Sequence, residues 1–387
     1  MKKETLLVHR GRKPNENFGI INPPVYHAST ITSPTLAEFE AKPERPFGGV
    51  QYGRTGTPTT FALEDAVNAL YGGHETIAVS SGLAAISISM MAFLQAGDHA
   101  LVADNVYGPT RDRTCNTLLK RSGVEVTYFD PLKSISELLK PETKVVFLES
   151  PGSMTFEVMD VAAVAAEAKS AGAIVLMDNT WATPLLFRPF DHGIDVVVEA
   201  ATKYIGGHAD VMLGVIAVST EEQFQRIKYT ANAMGNCPGP DDCYLGLRGL
   251  RTLSVRLERH QKNAITVAAW LKSRPEVDRV LYPALEDDPG YDLWKRDFSG
   301  ASGLFGIILN DVSREAVAAM LDGLEFFAMG ASWGGYESLI IPNEPANVRS
   351  ATEWTAAGPG LRLHIGLEDP DDLIEDLDKG FDRLTAA

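Results

Sequence analysis

Cysteine is scarce in this 387-residue chain: Cys115, Cys237 and Cys243 are the only three. So odd and sparse a set excludes a disulfide framework and a zinc knuckle, and it points to a reducing compartment. The opening MKKETLLVHRG offers only residues 6–8 as an apolar stretch before His9 and Arg10. That is too short for the core of a secretory signal, so a cytoplasmic protein is expected. Long hydrophobic runs are missing too. The longest, residues 83–94, contains two serines and falls well below the roughly 20 residues that cross a bilayer, so it reads as a buried helix. Positive charge is in deficit: 35 Lys and Arg against 51 Asp and Glu leave a net charge of −16. A surface of that sign repels phosphate backbones and anionic lipid, so neither nucleic acid nor a membrane is expected as a partner. The G-x-G-x-x-G and G-x-x-x-x-G-K-[ST] phosphate loops are absent, which weakens nucleotide-binding readings. Internal repeats and low-complexity linkers are absent as well.

What is present describes an ordinary globular protein, 45% hydrophobic and 22% charged, long enough for a large and a small domain. The first fifty or so residues (KPNENFG, INPPVY, AKPERPFGG) carry no sustained period and read as an extended arm. From Thr76, seven nearly continuous apolar runs recur: TIAVS, ALVA, VEVTYF, KVVFLE, AIVLM, DVVVEA and VMLGVIAV. Runs without in/out alternation are expected of parallel strands covered on both faces, which predicts an α/β sandwich of about seven mostly parallel strands. Helices fill the gaps, among them residues 83–94 and 161–170, the second stopping just before Gly172. A long helical stretch over residues 245–273 then leads to a smaller C-terminal α+β domain. Its expected strands are SGLFGIIL, LEFFAM and LRLHIGL, with a last helix near DDLIEDLDKGFDRL. The expected division is an arm over 1–55, an α/β domain over 56–245 and an α+β domain over 246–387. Cys115 is expected on a helix, Cys237 and Cys243 in a Pro/Gly-rich loop.

Ligands of open parallel sheets bind outside the carboxyl ends of the strands, and three such ends carry unusual residues. After TIAVS, Ser81-Gly82-Leu83 opens a helix whose free N–H groups and dipole suit a phosphate, although a serine cap is common by itself. Asp178 follows AIVLM in a mostly apolar setting and needs a cationic partner: an arginine, a metal or a protonated ring nitrogen. His192 and His208 are the nearby residues that keep a metal in view, but too few ligands surround them and no metal is expected. Lys203 follows DVVVEA beside the same cleft; it is either a solvated loop lysine or a desolvated amine able to form a Schiff base. Arg362, on the sequence pattern, reads as a surface residue on an edge strand. A phosphate cradle, a buried acid and a lysine on adjacent strand ends together meet the needs of pyridoxal phosphate. They anchor its phosphate, hold its aldehyde and keep its ring nitrogen protonated.

The chain resembles the Cys/Met-metabolism family of pyridoxal-phosphate enzymes over residues 52–384. The motifs that carry the resemblance are YGRTGTPTTFALE, SSGLAA, ESPGS, DNTWATP, AATKYIGGHAD, RGLRTLSVRL, SWGGYESLI and LRLHIGLEDPDDLI. It implies a fold-type-I transferase architecture and a homotetramer whose active sites are shared across a dimer. Lys203 and Tyr107 are the implied catalytic residues, Lys203 joined to the cofactor aldehyde and Tyr107 stacked on the ring. Asp178 would pair with the ring nitrogen, Thr180 would support the ring, and Ser81, Gly82, Leu83 and Thr202 would hold the phosphate. Tyr52 and Arg54 match residues that reach the phosphate of the neighbouring subunit, Tyr52 also touching substrate. Arg362 matches the grip on the substrate carboxylate, with Ser332 and Trp333 nearby. Gly152-Ser153, Ala200, Trp333 and His364 favour the branch that eliminates at Cβ. The implied reaction is α,β-elimination of L-cystathionine to homocysteine, pyruvate and ammonia, in transsulfuration toward methionine. A broad cysteine-conjugate β-lyase or desulfhydrase, and the γ-acting lyases and synthases, are the alternatives.

Overall fold

The computed structural model describes residues 1–41, 47–356 and 358–387; the 42–46 part of the expected arm and position 357 lie outside the described residues. All seven expected runs form strands: β1 (Glu75–Val79), β2 (His99–Ala103), β3 (Glu125–Phe129), β4 (Thr143–Glu149), β5 (Ile174–Asp178), β6 (Val196–Glu199) and β7 (Gly214–Val218). They make one sheet in the order β1-β7-β6-β5-β4-β2-β3. Every pairing is parallel except those of β7, which runs antiparallel to both β1 and β6. Because β7 reverses twice over, β1 points the same way as β6, and the carboxyl ends of β1, β2, β4, β5 and β6 share one edge. Apart from the edge strand β3, where only Phe129 is buried, the strands are buried at nearly every residue, because helices cover both faces. One of those helices, Gly82–Phe93, has Ser81 as its N-cap, accepting from the Ala84 N–H at 3.1 Å.

The C-terminal part adds a second, wholly antiparallel sheet of β8 (Val277–Leu281), β9 (Leu304–Leu309), β10 (Leu339–Asn343) and β11 (Gly360–His364), in the order β10-β11-β9-β8. The closing helix is Pro370–Ala386. LEFFAM, expected as a strand, is not one. The N–H groups of Glu325, Phe326 and Phe327 all donate to the buried Asp376 carboxylate, and only an isolated bridge from Ala328 to Leu339 remains. The long helical stretch is likewise two helices, Pro240–Leu250 and Leu253–Lys272. They part where the Gly249 carbonyl takes the Thr252 N–H at 3.1 Å and the Arg256 guanidinium at 2.8 Å. Cys243 is buried in the first of these helices rather than in a loop. Gly239 and Pro240, part of the Pro/Gly run that suggested a loop there, are the helix's N-cap and first residue.

Within the first 55 residues, Lys3–His9 and Leu36–Glu40 are helical. Leu7 is buried, and Arg251 ties down the Leu7 and Arg10 carbonyls. The segment between those helices is largely extended and bare, with Phe18, Ile20 and Ile21 exposed, as are Leu36 and Phe39 of the second helix. Among the described residues, no helix is long and apolar enough to cross a membrane.

Candidate active site

Lys203 lies in the connection from β6 to β7. Thr202 and Leu213 brace that connection, exchanging backbone and hydroxyl hydrogen bonds at 2.9–3.0 Å. The Thr202 hydroxyl donates to the Leu213 carbonyl, so the group expected to face a phosphate is occupied by its own hairpin. Lys203 Nζ donates to Ser332 Oγ at 2.7 Å and stands 5.3 Å from the Trp333 ring centre. The Trp333 ring leans on Tyr204 at 5.4 Å. The loop carrying Ser332 and Trp333 approaches so closely that a Cβ on Gly334 would stand 3.0 Å from Lys203 Cα, and Gly334 has φ +88°, a conformation and a fit that glycine alone meets easily. Burial, then the Arg362 charge, push the Lys203 amine down to about 8, with Asp178 opposing.

β11 lies between β10 and β9 rather than at an edge, and Arg362 is buried on it. Its Nη2 donates to the Gly330, Ala331 and Ser332 carbonyls at 3.4, 3.3 and 3.1 Å. Among the described residues, Nε and Nη1 have no protein acceptor. Burial lowers this guanidinium to about 10, with Tyr107 opposing. A cation fixed by one corner and free at the others is ready for a carboxylate.

Asp178 ends β5, buried. Its Oδ1 accepts the Thr180 N–H at 2.9 Å and the Thr180 hydroxyl, which in turn accepts the Ala200 N–H at 2.9 Å. Burial raises the carboxyl; the Thr180 bonds and Lys203 pull it back. Tyr107, following β2, is 42% exposed, so it is not a core tyrosine. Burial of the hydroxyl, then Asp178 and Glu149, raise it, while Arg362 lowers it. Lys203, Asp178, Tyr107, Arg362, Ser332, Trp333 and Thr180 therefore act on one cleft.

The phosphate cradle is tested by Gly82. A Cβ there would stand 2.5 Å from Ala200 Cβ, so only glycine lets the start of the 12-residue helix Gly82–Phe93 sit against the strand ends. The Gly82 and Leu83 N–H groups, in the first turn, need no partner within the helix. Asn236 steadies the entry, accepting the Ser80 N–H and hydroxyl, each at 3.0 Å. An amine lowered to about 8, a buried acid with one unbonded oxygen and this bare helix start fit an aldehyde, a ring nitrogen and a phosphate.

Several residues singled out in the sequence stand outside this cluster. Arg54 donates to the Asn232 carbonyl at 2.9 Å and Tyr52 is exposed. Among the described residues, no hydrogen bond or ring contact joins either to Lys203, Asp178 or Arg362. His208 bonds the Gly206 carbonyl and His192 stacks on Phe187. His364 is buried behind Trp333, its Nδ1 on the Glu337 carbonyl at 3.1 Å. Two acids went unread in the sequence. Glu149 ends β4 beside Asp178, and Glu199 ends β6 with the Tyr71 hydroxyl donating to it. Burial, with Asp178 adding to it and Tyr71 opposing, lifts Glu199 to about 8. Their position just after an apolar strand was the available signal.

A family model described as Cys/Met metabolism PLP-dependent enzyme matches residues 4–382. Cystathionine beta-lyase MetC of Escherichia coli is 44% identical, covering 99% of each chain. An L-alanine/L-glutamate racemase of Wolbachia pipientis is 40% identical over 99% of this chain and 98% of its own. Among solved structures, a cystathionine gamma synthase from Xanthomonas oryzae in complex with aminoacrylate and cysteine superposes with a TM-score of 0.91 at 33% identity. It covers 100% of this chain and 99% of that one.

Proposed function

The chain belongs to the Cys/Met-metabolism family of PLP-dependent enzymes, and from that premise we propose that it cleaves L-cystathionine by α,β-elimination, giving homocysteine, pyruvate and ammonia. It is a carbon–sulfur lyase whose place is the transsulfuration step toward methionine. The observation that carries the reading is Lys203: an amine lowered to about 8, held on Ser332 between Asp178 and Arg362. Pyridoxal 5′-phosphate is the cofactor. Ser81, Gly82 and Leu83 hold its phosphate, Asp178 its ring nitrogen, Lys203 its aldehyde and Tyr107 its ring face. When bound, it supplies an electron-withdrawing ring into which the pair from a broken Cα–H bond can spread.

The protein's residues do the rest. Arg362 grips the substrate carboxylate with its free guanidinium nitrogens and so fixes which bond at Cα faces Lys203. Lys203 in its uncharged form takes the Cα proton. The Cα electron pair then forms a Cα=Cβ double bond as the Cβ–S bond breaks with its pair on sulfur, Lys203 returns the proton to that sulfur, and water hydrolyses the released enamine to pyruvate and ammonia. Ser332 holds Nζ on course between the two positions, and Trp333 walls the cleft against water. Asp178, whose Oδ1 takes both Thr180 bonds, would favour the protonated form of the ring nitrogen.

We further propose a homotetramer in which the arm delivers Tyr52 and Arg54 to a neighbour's phosphate. The bare apolar residues from Phe18 to Phe39 and the distance of both side chains from their own Lys203 cluster support this. Three free cysteines suit a cytoplasmic setting.

The test is to incubate the cofactor-loaded protein with L,L-cystathionine and identify the products. Pyruvate with homocysteine is expected; 2-oxobutyrate with cysteine would overturn the bond assignment in favour of the γ-acting relatives. The racemase relative motivates a second reading. Removal of the Cα proton is common to both, and a substrate with no leaving group at Cβ can only take its proton back. D-alanine formed from L-alanine faster than pyruvate from cystathionine would make racemisation the principal activity.

A further inference from the structure

Glu149 has a place in the cleft but none in the scheme above. It ends β4 directly opposite Asp178, its register partner on β5, so the two side chains leave the same face of strands about 4.8 Å apart. Two carboxylates that close in a dry cleft do not both ionise. Asp178 has the stronger claim to the charge, with the Thr180 N–H, the Thr180 hydroxyl and the field of Lys203 on its side. Glu149 has one donor, the Tyr107 N–H, 2.7 Å from its Oε2. Among the described residues no cation pairs with it.

That single bond reaches Tyr107. The Tyr107 carbonyl is already held by the Thr110 and Arg111 N–H groups, where the helix Thr110–Leu119 begins. Glu149 holds the other side of the same residue. Among the described residues the Tyr107 ring has no aromatic neighbour, so its backbone anchors set its direction over the cleft.

We propose that Glu149 is a positioning residue: standing as the uncharged acid, it aims Tyr107 through the backbone N–H and leaves the negative charge of this edge on Asp178. The groups that act on the pair are Tyr107 after β2, Thr180 after β5, Lys203 after β6 and, through Asp178, Glu199 at the end of β6 and the Tyr71 hydroxyl. Burial, reinforced by Asp178, pushes Glu149 well above the usual carboxyl range, in agreement with the geometry.

The inference rests on the cleft being a pyridoxal-phosphate site, and its test separates the two. Wild type, Glu149→Gln and Glu149→Ala, stripped of cofactor, are titrated with pyridoxal phosphate. The infrared spectrum of each at pH 7 is also compared with wild type. Glutamine reproduces an uncharged acid, one oxygen accepting and the other arm donating. Glu149→Gln is therefore expected to bind within about twofold of wild type, and Glu149→Ala about tenfold or more weaker. The wild-type minus Gln difference spectrum is expected to contain a neutral-carboxyl band. Glu149→Gln as weak as Glu149→Ala, or a carboxylate band in place of the neutral one, would overturn the proposal. The infrared result stands even if the alanine protein fails to fold. A wild type that takes up no pyridoxal phosphate would instead sink the reading of the cleft.

Discussion

Asp104 and Thr352 fasten the small sheet's surroundings to the large one. The Asp104 carboxylate, just past β2, accepts the Thr352 N–H at 2.9 Å and its hydroxyl at 2.7 Å. It also takes the N–H groups of Ser350 and Ala351 and the Arg111 guanidinium. Removing it strands several donors and the buried Arg111 cation at once. Asp104→Ala is expected to destabilise by roughly 3–5 kcal/mol, read by urea unfolding. Burial pushes this carboxyl up, but Thr352, Ser350, Arg111 and Ala351 outweigh it and hold it below its ordinary 3.8. The contribution is therefore whole at neutral pH and is lost as the pH falls below about 3.8; an Asp104→Asn protein will lack that acid-sensitive part.

The Lys203 amine must be uncharged to accept a proton, and its value of about 8 leaves about one in ten so at pH 7. In the cofactor-free protein, the rate of pyridoxal-phosphate uptake by this amine is expected to rise about tenfold per pH unit below that value and level off above it. Lys203→Ala should lose roughly a thousandfold or more of the turnover, together with the yellow colour of the loaded protein. Full turnover in that variant would end the scheme.

Asp178 costs the fold something that Asn would not. A buried acid whose value is raised is less stable ionised inside than outside. Asp178→Asn is expected to melt at the same or a higher temperature while losing roughly a hundredfold or more in turnover. Unchanged kinetics would make Asp178 merely structural.

Glu199, raised to about 8, keeps its proton in the folded state and loses it near 4.5 when unfolded. The extra native proton stabilises fully below about 4.5 and its effect fades as the pH rises to about 8. Wild type should thus be more stable at pH 5 than at pH 8. Glu199→Gln should flatten that slope, and an equal slope in both would show that another group carries it.

The arm's apolar residues are a separate test. Replacing Phe18, Ile20 and Ile21 by serine leaves the packed core untouched. Light scattering is expected to find a smaller assembly, and cofactor affinity to fall with it, because Tyr52 and Arg54 would no longer reach a neighbour. A tetramer of unchanged mass would remove the arm from the interface.

The large sheet was legible because strands covered on both faces must be apolar at every position, and little else in a chain looks like that. The small sheet was half legible. β8 is an edge strand with exposed Asp278 and Arg279 in its middle, and β10 is an edge strand carrying Pro342, so neither has the expected pattern. LEFFAM has the pattern, yet a single carboxylate 49–51 residues away captures its N–H groups. In the site, Lys203, Asp178 and Ser81 announced themselves by following apolar runs. Arg362 needed the resemblance, because an arginine on a strand looks solvated until its neighbours are known. Glu149 and Asp104 act through backbone N–H groups, which no side-chain pattern records.

The reversed strand β7 has a mechanical meaning. β6 runs out to Glu199, the chain turns, and β7 returns from Gly214 as its antiparallel neighbour, so the reactive amine sits in the bend of a single hairpin. One residue added to that bend would slide the amine by about 3.3 Å, further than a hydrogen bond to Ser332 could follow. The crossover 130–142, which joins the edge strand β3 to the interior strand β4 and carries none of the site's side chains, has no such lever. Loop length is therefore part of the chemistry at one address in this chain and free to drift at the other.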